Sequence, residues 1–286
     1  MKYAITAATG KFGTIAVQKL LQLVNENDQV IAIVRNFAKA QQVLPSEVIL
    51  READYNDEQS MTSALQGVDH VLFISSQPGG SLPRSEQQRN VVKALTQAKV
   101  KFVAYTSFPH AQTAVDSLAA DHKLTEDLIV ESGIAHAFLR NNWYLENEIG
   151  FLQSGQQNQT AAYWAGHQAG WALEREYAEA AAKVLTMEKP QQVYEFAGPA
   201  NSYPDLGAAL QRATDQQVSV KQVTRNQYIE GLVATGLDKA TATMFASFQE
   251  PIDDGALQEE TVDLPKVLGH NLTSLPEAIK EILKRN

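Results

Sequence analysis

Through the first 140 residues, short apolar blocks alternate with stripes of apolar positions at helical spacing. Residues 2–6 (Lys-Tyr-Ala-Ile-Thr) read as a short buried strand. Val17, Leu20, Leu21 and Val24 then stand at i, i+3, i+4 and i+7, one face of a helix. Further strands are expected over Gln29–Val34, Val48–Glu52 (ending near Asp54), Val71–Ile74, Phe102–Tyr105 and Ala135–Leu139. The Val71–Ile74 run is wholly apolar, as a strand covered on both faces of a parallel sheet requires. Asn56-Asp57-Glu58-Gln59 offers a capping box ahead of Met61, Ala64 and Leu65, with Gly67 as the stop. Helices are expected over Gln87–Lys99 and over Thr125–Ser132, the latter stopped by Gly133. Strands and helices in this alternation predict an α/β fold built on a doubly wound parallel sheet.

After Arg140 the regularity breaks. Residues 151–170 are rich in Gln and Gly and carry Tyr163 and Trp164. A helix over Glu174–Thr186 and a strand over Val193–Ala197 follow. From residue 200 a helix over Pro204–Thr214, a strand over Val218–Val223 and helices to the C-terminus suggest a smaller mixed lobe. The expected organisation is a Rossmann domain over 1–150, with 171–199 returning to it. Residues 151–170 and 200–286 would form a smaller C-terminal α/β lobe on the substrate side.

The turn between the first strand and the first helix carries candidate chemistry. Ala7-Ala8-Thr9-Gly10-Lys11-Phe12-Gly13 places small residues at a small-x-x-small-x-x-Gly spacing, and the Gln29–Val34 strand closes a βαβ unit of suitable length. A glycine-rich turn leading into a helix aims backbone N–H groups and the positive helix end at one point, where a pyrophosphate fits. Ala7 departs from the usual glycine at the first position. At the end of the second strand an acidic residue would accept a ribose 2′-hydroxyl, whereas Arg accommodates a 2′-phosphate. The strand ends Val34-Arg35-Asn36, with Lys39 close behind and Arg35 standing 22 positions after Gly13. A planar guanidinium matches a phosphate group, so NADPH is the expected cofactor; a solvated surface pair is the alternative.

Ligands of such sheets bind beyond the carboxyl ends of the strands. The fourth strand ends in Ser75-Ser76 and the fifth in Thr106-Ser107, small hydroxyl residues that suit a nicotinamide ribose. The expected cofactor set is therefore Thr6, Thr9, Gly10, Lys11, Phe12, Gly13, Arg35, Lys39, Asp54, Ser75, Ser76, Thr106 and Ser107. Asn142, Trp143 and Asn147 follow the sixth strand and are expected to bind substrate, through stacking and amide hydrogen bonds; packing of the two lobes is the other use for the aromatics. Tyr144 and His110 are the candidate proton donors. Gln77–Arg84, dense in turn residues, is either a lid or an idle loop. Asp121-His122-Lys123 and Glu126 resemble a helix start. None of the nine tyrosines has Lys four residues on, so the tyrosine–lysine pair of many carbonyl reductases is missing.

Bulk properties narrow the class. The 286 residues are 44% hydrophobic, enough for a large domain with a small lobe. The net charge of −9 (24 basic against 33 acidic residues) argues against nucleic acid as a partner. With no cysteine, disulfides, thiolate nucleophiles and Cys-ligated metals are excluded, and no metal is expected. The first strand starts at residue 2, leaving no room for a leader, and no apolar run approaches a membrane span. A soluble cytoplasmic protein is expected, acting on a small molecule and open to forming a homodimer.

Together Thr6–Gly13, Val34-Arg35-Asn36 with Lys39, Ile74-Ser75-Ser76, Tyr105-Thr106-Ser107 and Leu139–Asn147 resemble the NmrA-like atypical short-chain dehydrogenase/reductases, in particular their bacterial NADPH-dependent quinone oxidoreductases. The likeness continues through Glu174–Ala178, Tyr194–Gly198 and Leu268-Gly269-His270. It implies NADPH binding and two-electron reduction of a quinone or similar flat conjugated acceptor. It departs at Ala7, where the family usually has Gly, and at Glu176, where Asp is common. NmrA-like proteins also include non-enzymatic NADP(H) sensors, which stand as the alternative function.

Overall fold

A run of parallel pairings organises the amino-terminal half of the molecule. The computed structural model describes residues 1–77, 81–113 and 117–285, and the chain divides into two units. The first comprises Met1–Asn141, Arg175–Phe196 and Asp263–Gly269; the second comprises Asn142–Glu174, Ala197–Val262 and His270–Asn286. Elements are numbered in chain order across both.

In the first unit β1 (Lys2–Ile5), α1 (Lys11–Leu23), β2 (Gln29–Val34), α2 (Phe37–Val43), β3 (Ile49–Glu52), α3 (Glu58–Leu65), β4 (His70–Phe73), α4 (Arg84–Gln97), β5 (Phe102–Ser107), α5 (Ser117–Ser132) and β6 (Ala135–Asn141) alternate as expected. α7 (Glu174–Thr186), β8 (Val193–Phe196) and the short α12 (Asp263–Leu268) complete it. The seven strands run in the order β3-β2-β1-β4-β5-β6-β8, and each pairing is parallel. Ala4 of β1 faces Ile31 of β2 on one side and Val71 of β4 on the other. The strand order therefore reverses at β1, and a crevice opens beyond its carboxyl end. Ile31, Ile33, Met61, Leu65, Val71, Phe73, Val91, Leu95, Val103, Tyr105, Ile129 and Phe138 form a continuous buried cluster. Each large aliphatic side chain removed from water there contributes about 1.5–3 kcal/mol, and that burial holds the strand ends in place.

Several local expectations are corrected. α3 starts one residue later than the capping-box reading: Asp57 is the N-cap, accepting from the Gln59 and Ser60 N–H groups. A carboxylate that satisfies two orphan donors leaves no need for reciprocal capping. Asp121, His122, Lys123 and Glu126 lie inside α5 rather than at a helix start. α12 falls among the helices expected toward the C-terminus, but it belongs to the first unit and not to the smaller lobe over 200–286. Its six residues are too few to show a periodic stripe, and it is tied on by the Glu195 N–H donating to Asp263 Oδ2 at 3.1 Å and by the Lys183 ammonium on the Leu268 carbonyl. The first unit ends its main run at Asn141, not at 150.

The second unit contains a 3-10 turn (Leu145–Glu148), α6 (Ile149–Asn158), β7 (Thr160–Tyr163), α8 (Tyr203–Thr214), β9 (Ser219–Gln222), α9 (Arg225–Ala234), α10 (Lys239–Ser247), α11 (Glu250–Asp253) and α13 (Leu275–Arg285). Residues 151–170, which carry no clear period, hold most of α6 and all of β7. Gln is a good helix former, and Phe151, Leu152 and Gly155 put one buried face on α6. β7 pairs in parallel with β9. The capping box at the start of α8 is formed by Ser202 and Asp205. Close packing explains two glycines: a Cβ on Gly155 would meet Leu210 Cδ2 at 2.5 Å, and one on Gly207 would meet Val220 Cγ2 at 2.2 Å. No helix among the described residues is long and apolar enough to cross a membrane.

Candidate cofactor and substrate sites

Residues 6–13 form a tight bend between β1 and α1. Ala7 takes φ +48°, and its carbonyl accepts the Gly10 N–H at 3.0 Å. A residue with a Cβ is strained there by about 1–2 kcal/mol, which is why glycine is the common choice at this position. Gly13 has no alternative: a Cβ would lie 2.5 Å from the Ala7 carbonyl oxygen and 2.8 Å from Ala8 Cα. Gly10 is different, because the nearest atom to an added Cβ is the Ala7 oxygen at 3.4 Å. The protein itself tolerates a side chain there; space is left on the outer side of the bend. Gly10 is the N-cap of α1 and no side chain caps that helix, so the positive end of its dipole is open to an anion.

The bend is fastened from below. Thr6 Oγ1 accepts the Ile74 N–H at 3.0 Å and hydrogen-bonds the Tyr55 hydroxyl, which donates to the Ile74 carbonyl at 2.7 Å. This lock joins the carboxyl ends of β1 and β4. The sequence reading overlooked Tyr55, although its place just after Asp54, at the end of β3, marks it as a strand-end residue. Thr6 itself is fully buried and serves this lock rather than facing outward. Phe12 is buried under the bend, whereas Lys11 is exposed and Thr9 half-buried.

Beyond β2, Arg35 and Lys39 are both exposed, and neither has an ion-pair partner among the described residues. Asn36 Oδ1 caps α2 by accepting the Lys39 N–H at 2.9 Å, so both cations belong to one helix start. Asp54 Oδ1 accepts the Asn56 N–H at 2.9 Å and shapes the turn after β3. At β4 and β5 the hydroxyls interlock: Thr106 Oγ1 accepts the Ser75 N–H at 2.9 Å. The Ser76 hydroxyl is buried and has no hydrogen-bond partner among the described residues. A buried hydroxyl without a partner carries a desolvation penalty of about 1–3 kcal/mol, and a bound ribose or amide would relieve it. Open helix end, unpaired cations and orphaned hydroxyl together fit a dinucleotide with an additional phosphate.

Ser107 has another partner. Its hydroxyl donates to Glu126 Oε1 at 2.6 Å, and Glu126 is completely buried. Arg140 answers that carboxylate with Nε at 2.9 Å and Nη2 at 2.7 Å, and reaches Glu195 with Nη1 at 2.8 Å. Burial works against the Arg140 charge, but the hydrogen bonds to Glu126 and Glu195 outweigh it and raise its pKa. An arginine directly after the apolar run Ala137-Phe138-Leu139 of β6 was the available signal for this network. His110 stands at its exposed edge with φ +48°, its Nδ1 3.7 Å from Glu195. Tyr105 is fully buried with its hydroxyl 2.9 Å from His122 Nδ1, while Arg84 Nη2 lies 2.8 Å from His122 Nε2. Burial, followed by the Arg84 charge, keeps His122 well below the ordinary histidine pKa. The Gln77–Arg84 loop includes residues 78–80, which lie outside the described residues.

In the second unit, Asn142 has a different part from the one expected. It is buried; its Oδ1 accepts the Trp143 N–H at 2.8 Å and the Gly170 N–H at 3.1 Å, and its Nδ2 donates to the Leu257 carbonyl at 3.1 Å. Its amide ties three chain segments together instead of turning to a ligand. Gly170 and Gly198 permit that junction: a Cβ on Gly198 would lie 2.1 Å from the Trp171 carbonyl oxygen. Trp143 and Tyr144 are half-buried and Asn147 is exposed. The Asn147 N–H closes the turn onto the Tyr144 carbonyl at 3.0 Å, leaving its side chain outward.

A parallel sheet with a glycine turn at its point of strand reversal, an uncapped helix end and a basic pair after the second strand defines a dinucleotide-binding oxidoreductase architecture. Residues 7–167 match the family of NAD(P)H-binding domains, and the chain belongs to it. It is 37% identical over 286 residues to Quinone oxidoreductase 2 of Escherichia coli (strain K12), covering 99% of each chain. It is 24% identical over 297 residues to the NmrA-like family domain-containing oxidoreductase flvB of Aspergillus flavus, covering 100% of this chain and 96% of that one. The crystal structure of an NADPH-dependent quinone oxidoreductase from Escherichia coli complexed with NADPH superposes with a TM-score of 0.90 at 37% identity, covering 98% of this chain and 99% of that one. The Citrobacter sp. triphenylmethane reductase complexed with NADP(H) superposes with a TM-score of 0.90 at 31% identity, covering 99% and 100%.

Proposed function

We propose that the protein is an NADPH-dependent reductase of quinones and similar flat, conjugated acceptors. The observation that carries this reading is the exposed Arg35–Lys39 pair after β2, unmatched by any carboxylate ion pair among the described residues. Full-length likeness to an NADPH-dependent quinone oxidoreductase and to a reductase of triphenylmethane dyes supports it.

NADPH, when bound, supplies a hydride. The bend at Gly10 and the open end of α1 would hold the pyrophosphate, and the Arg35 guanidinium with the Lys39 ammonium would hold the 2′-phosphate. Lys11 adds positive charge, while Asp54, Ser75, Ser76, Thr106 and Ser107 line the remaining strand ends. Glu126 orients the Ser107 hydroxyl, so that group presents lone pairs rather than its proton. A quinone is already a strong hydride acceptor, so the residues after β6 chiefly have to hold it flat. Trp143 and Tyr144 supply stacking area and Asn147 a hydrogen bond; Tyr144, His110 or water delivers the proton. A cytoplasmic location and a homodimer belong to the same reading, tested by cell fractionation and sedimentation.

The deciding experiment mixes protein, NADPH and 1,4-benzoquinone and follows NADPH absorbance against a protein-free control. Acceleration with NADPH over NADH is the expected result. NADPH binding without acceleration, across several quinones and a triphenylmethane dye, would instead make the chain a cofactor sensor.

A further inference from the structure

A cavity of about 530 Å³ opens in the first unit at the amino ends of β4, β5 and β6. Its volume lies within the range of about 300–1,000 Å³ usual for small-molecule sites. β4 begins at His70, which pairs with Phe102 at the start of β5, and Phe102 pairs with Ala135 at the start of β6. The bend, Ser75 and Thr106 stand at the other, carboxyl end of the sheet. The length of β5 alone puts about 16 Å between Phe102 and Ser107, so the cavity is separate from the cofactor site. Phe102, Ile134, Met187 and Pro190 give it apolar walls, and His70 and His136 give it two imidazoles.

Both rings are held by hydrogen bonds and packing. His70 Nδ1 donates to the Leu185 carbonyl of α7 at 3.1 Å, and the ring packs on Tyr3 and Phe102 at 5.5 and 5.2 Å between centroids. His136 Nδ1 donates to the Ile134 carbonyl at 2.9 Å, and the ring stacks on Phe138 at 4.5 Å. A carbonyl only accepts, so in each neutral imidazole the proton sits on Nδ1 and Nε2 carries the lone pair. Neither Nε2 has a hydrogen-bond partner among the described residues. The charged groups of the lining keep this balance. Lys101 is paired with Asp69 at 2.7 Å, and the exposed Glu188 adds a further acceptor. Apolar walls beside unfilled acceptors suit an apolar ligand that carries donors.

We infer that this cavity is a binding site for small aromatic alcohols, in which a phenol or an aromatic diol lies against the apolar walls and donates through O–H to the imidazole Nε2 atoms. The same acceptors discriminate against a quinone of similar shape. Its carbonyl oxygens only accept, so they would face lone pairs and leave every polar atom unmatched. The site therefore separates the reduced from the oxidised member of a quinone–hydroquinone pair. The diol formed when a quinone takes up two electrons and two protons belongs to this class. On the reductase reading the product thus has a second place to bind, but the site itself stands without that reading.

The test titrates hydroquinone, kept reduced under argon, into the full chain carrying nitrogen-labelled histidine and followed by NMR. The control probe is 1,4-dimethoxybenzene, a ring of the same kind without donors. Ring resonances are assigned with His70→Phe and His136→Phe, which keep an aromatic ring in the packing. Hydroquinone is expected to shift the Nε2 resonances of His70 and His136 and to bind about 10-fold more tightly than the control, the ratio that one hydrogen bond supplies. His136→Phe should weaken hydroquinone about 3- to 10-fold and the control less than about twofold. Val130→Trp, at an exposed position on the wall, should block both probes while the circular dichroism spectrum stays native. Equal binding of the two probes overturns the inference. So does hydroquinone binding that leaves both Nε2 resonances unmoved or ignores His136→Phe, and so does the absence of binding up to the solubility limit. No cofactor or turnover enters this measurement. A chain that binds hydroquinone here but reduces no acceptor keeps the site and loses the reductase reading.

Discussion

Glu126 of the first unit and Glu148 of the second are both buried, in opposite environments. In the first unit Glu126 faces the Arg140 guanidinium along two hydrogen bonds, with Glu195 on the far side of the same cation. In the second, Glu148 accepts hydrogen bonds from the Tyr203 hydroxyl and the Trp171 indole N–H, both neutral donors. Both arrangements satisfy hydrogen bonds, yet only one balances charge. Hydrogen bonds from neutral donors repay part of the desolvation of a carboxylate; a fixed cation repays more of it. The first unit thus sets a cation against its buried carboxylate, while its Arg35 and Lys39 have no ion-pair partner among the described residues. In the second, burial with no cation beside it pushes the Glu148 carboxyl up to about 7.

The sharpest way to break this contrast is Glu126→Ala. It leaves a half-buried guanidinium with Glu195 alone, and breaking a buried pair in this way destabilises by about 3–5 kcal/mol. Urea unfolding measures it, and a loss below about 1 kcal/mol would mean that charge pairing does not hold the first unit together. The second expectation concerns pH and stability. Glu148 has its ordinary carboxyl pKa when unfolded and about 7 when folded, so between those values the native state binds the extra proton. Stability from this group is then present at low pH and declines as pH rises from about 4.5 to 7, by about 3 kcal/mol in all. Melting wild type and Glu148→Gln side by side should show the difference in that direction; a wild type that gains on its variant as pH rises would reverse the comparison.

Arg35→Glu probes the unmatched cation. Loss of a charge-assisted phosphate contact should weaken NADPH binding about 30- to 100-fold and NADH binding less than about threefold, as read by fluorescence titration. Equal losses would remove the 2′-phosphate assignment. The smallest effect is expected at Ala7→Gly. Relief of about 1–2 kcal/mol of strain at φ +48° is mostly offset by the greater freedom glycine has in the unfolded chain. A net gain of about 0.5 kcal/mol in thermal unfolding is the expected outcome, and a loss would show that the bend is not strained.

Much of the first unit was legible because its signals are local. A strand, a bend and a helix lie within residues 2–23, and the parallel order follows from apolar runs separated by helical stripes. The basic pair is readable for the same reason, since Arg35 adjoins the last residue of its strand. Residues 151–170 were harder: a helix rich in Gln shows only a narrow buried face, and β7 is four residues long. At the site, Asn142 reads like any amide at a strand end. Nothing in its neighbours announces that Gly170 and Leu257 will take both ends of its side chain.

The amino-acid order alone determined the class of this protein, because a phosphate-binding bend needs only contiguous backbone freedom and a helix behind it. Folding decided which polar residues face a ligand and which serve the scaffold. It set Trp171 and Tyr203, 23 and 55 residues away, against Glu148, and brought Arg140 to Glu126. Desolvation and partner choice depend on what three-dimensional packing places nearby, and no spacing along the chain encodes them.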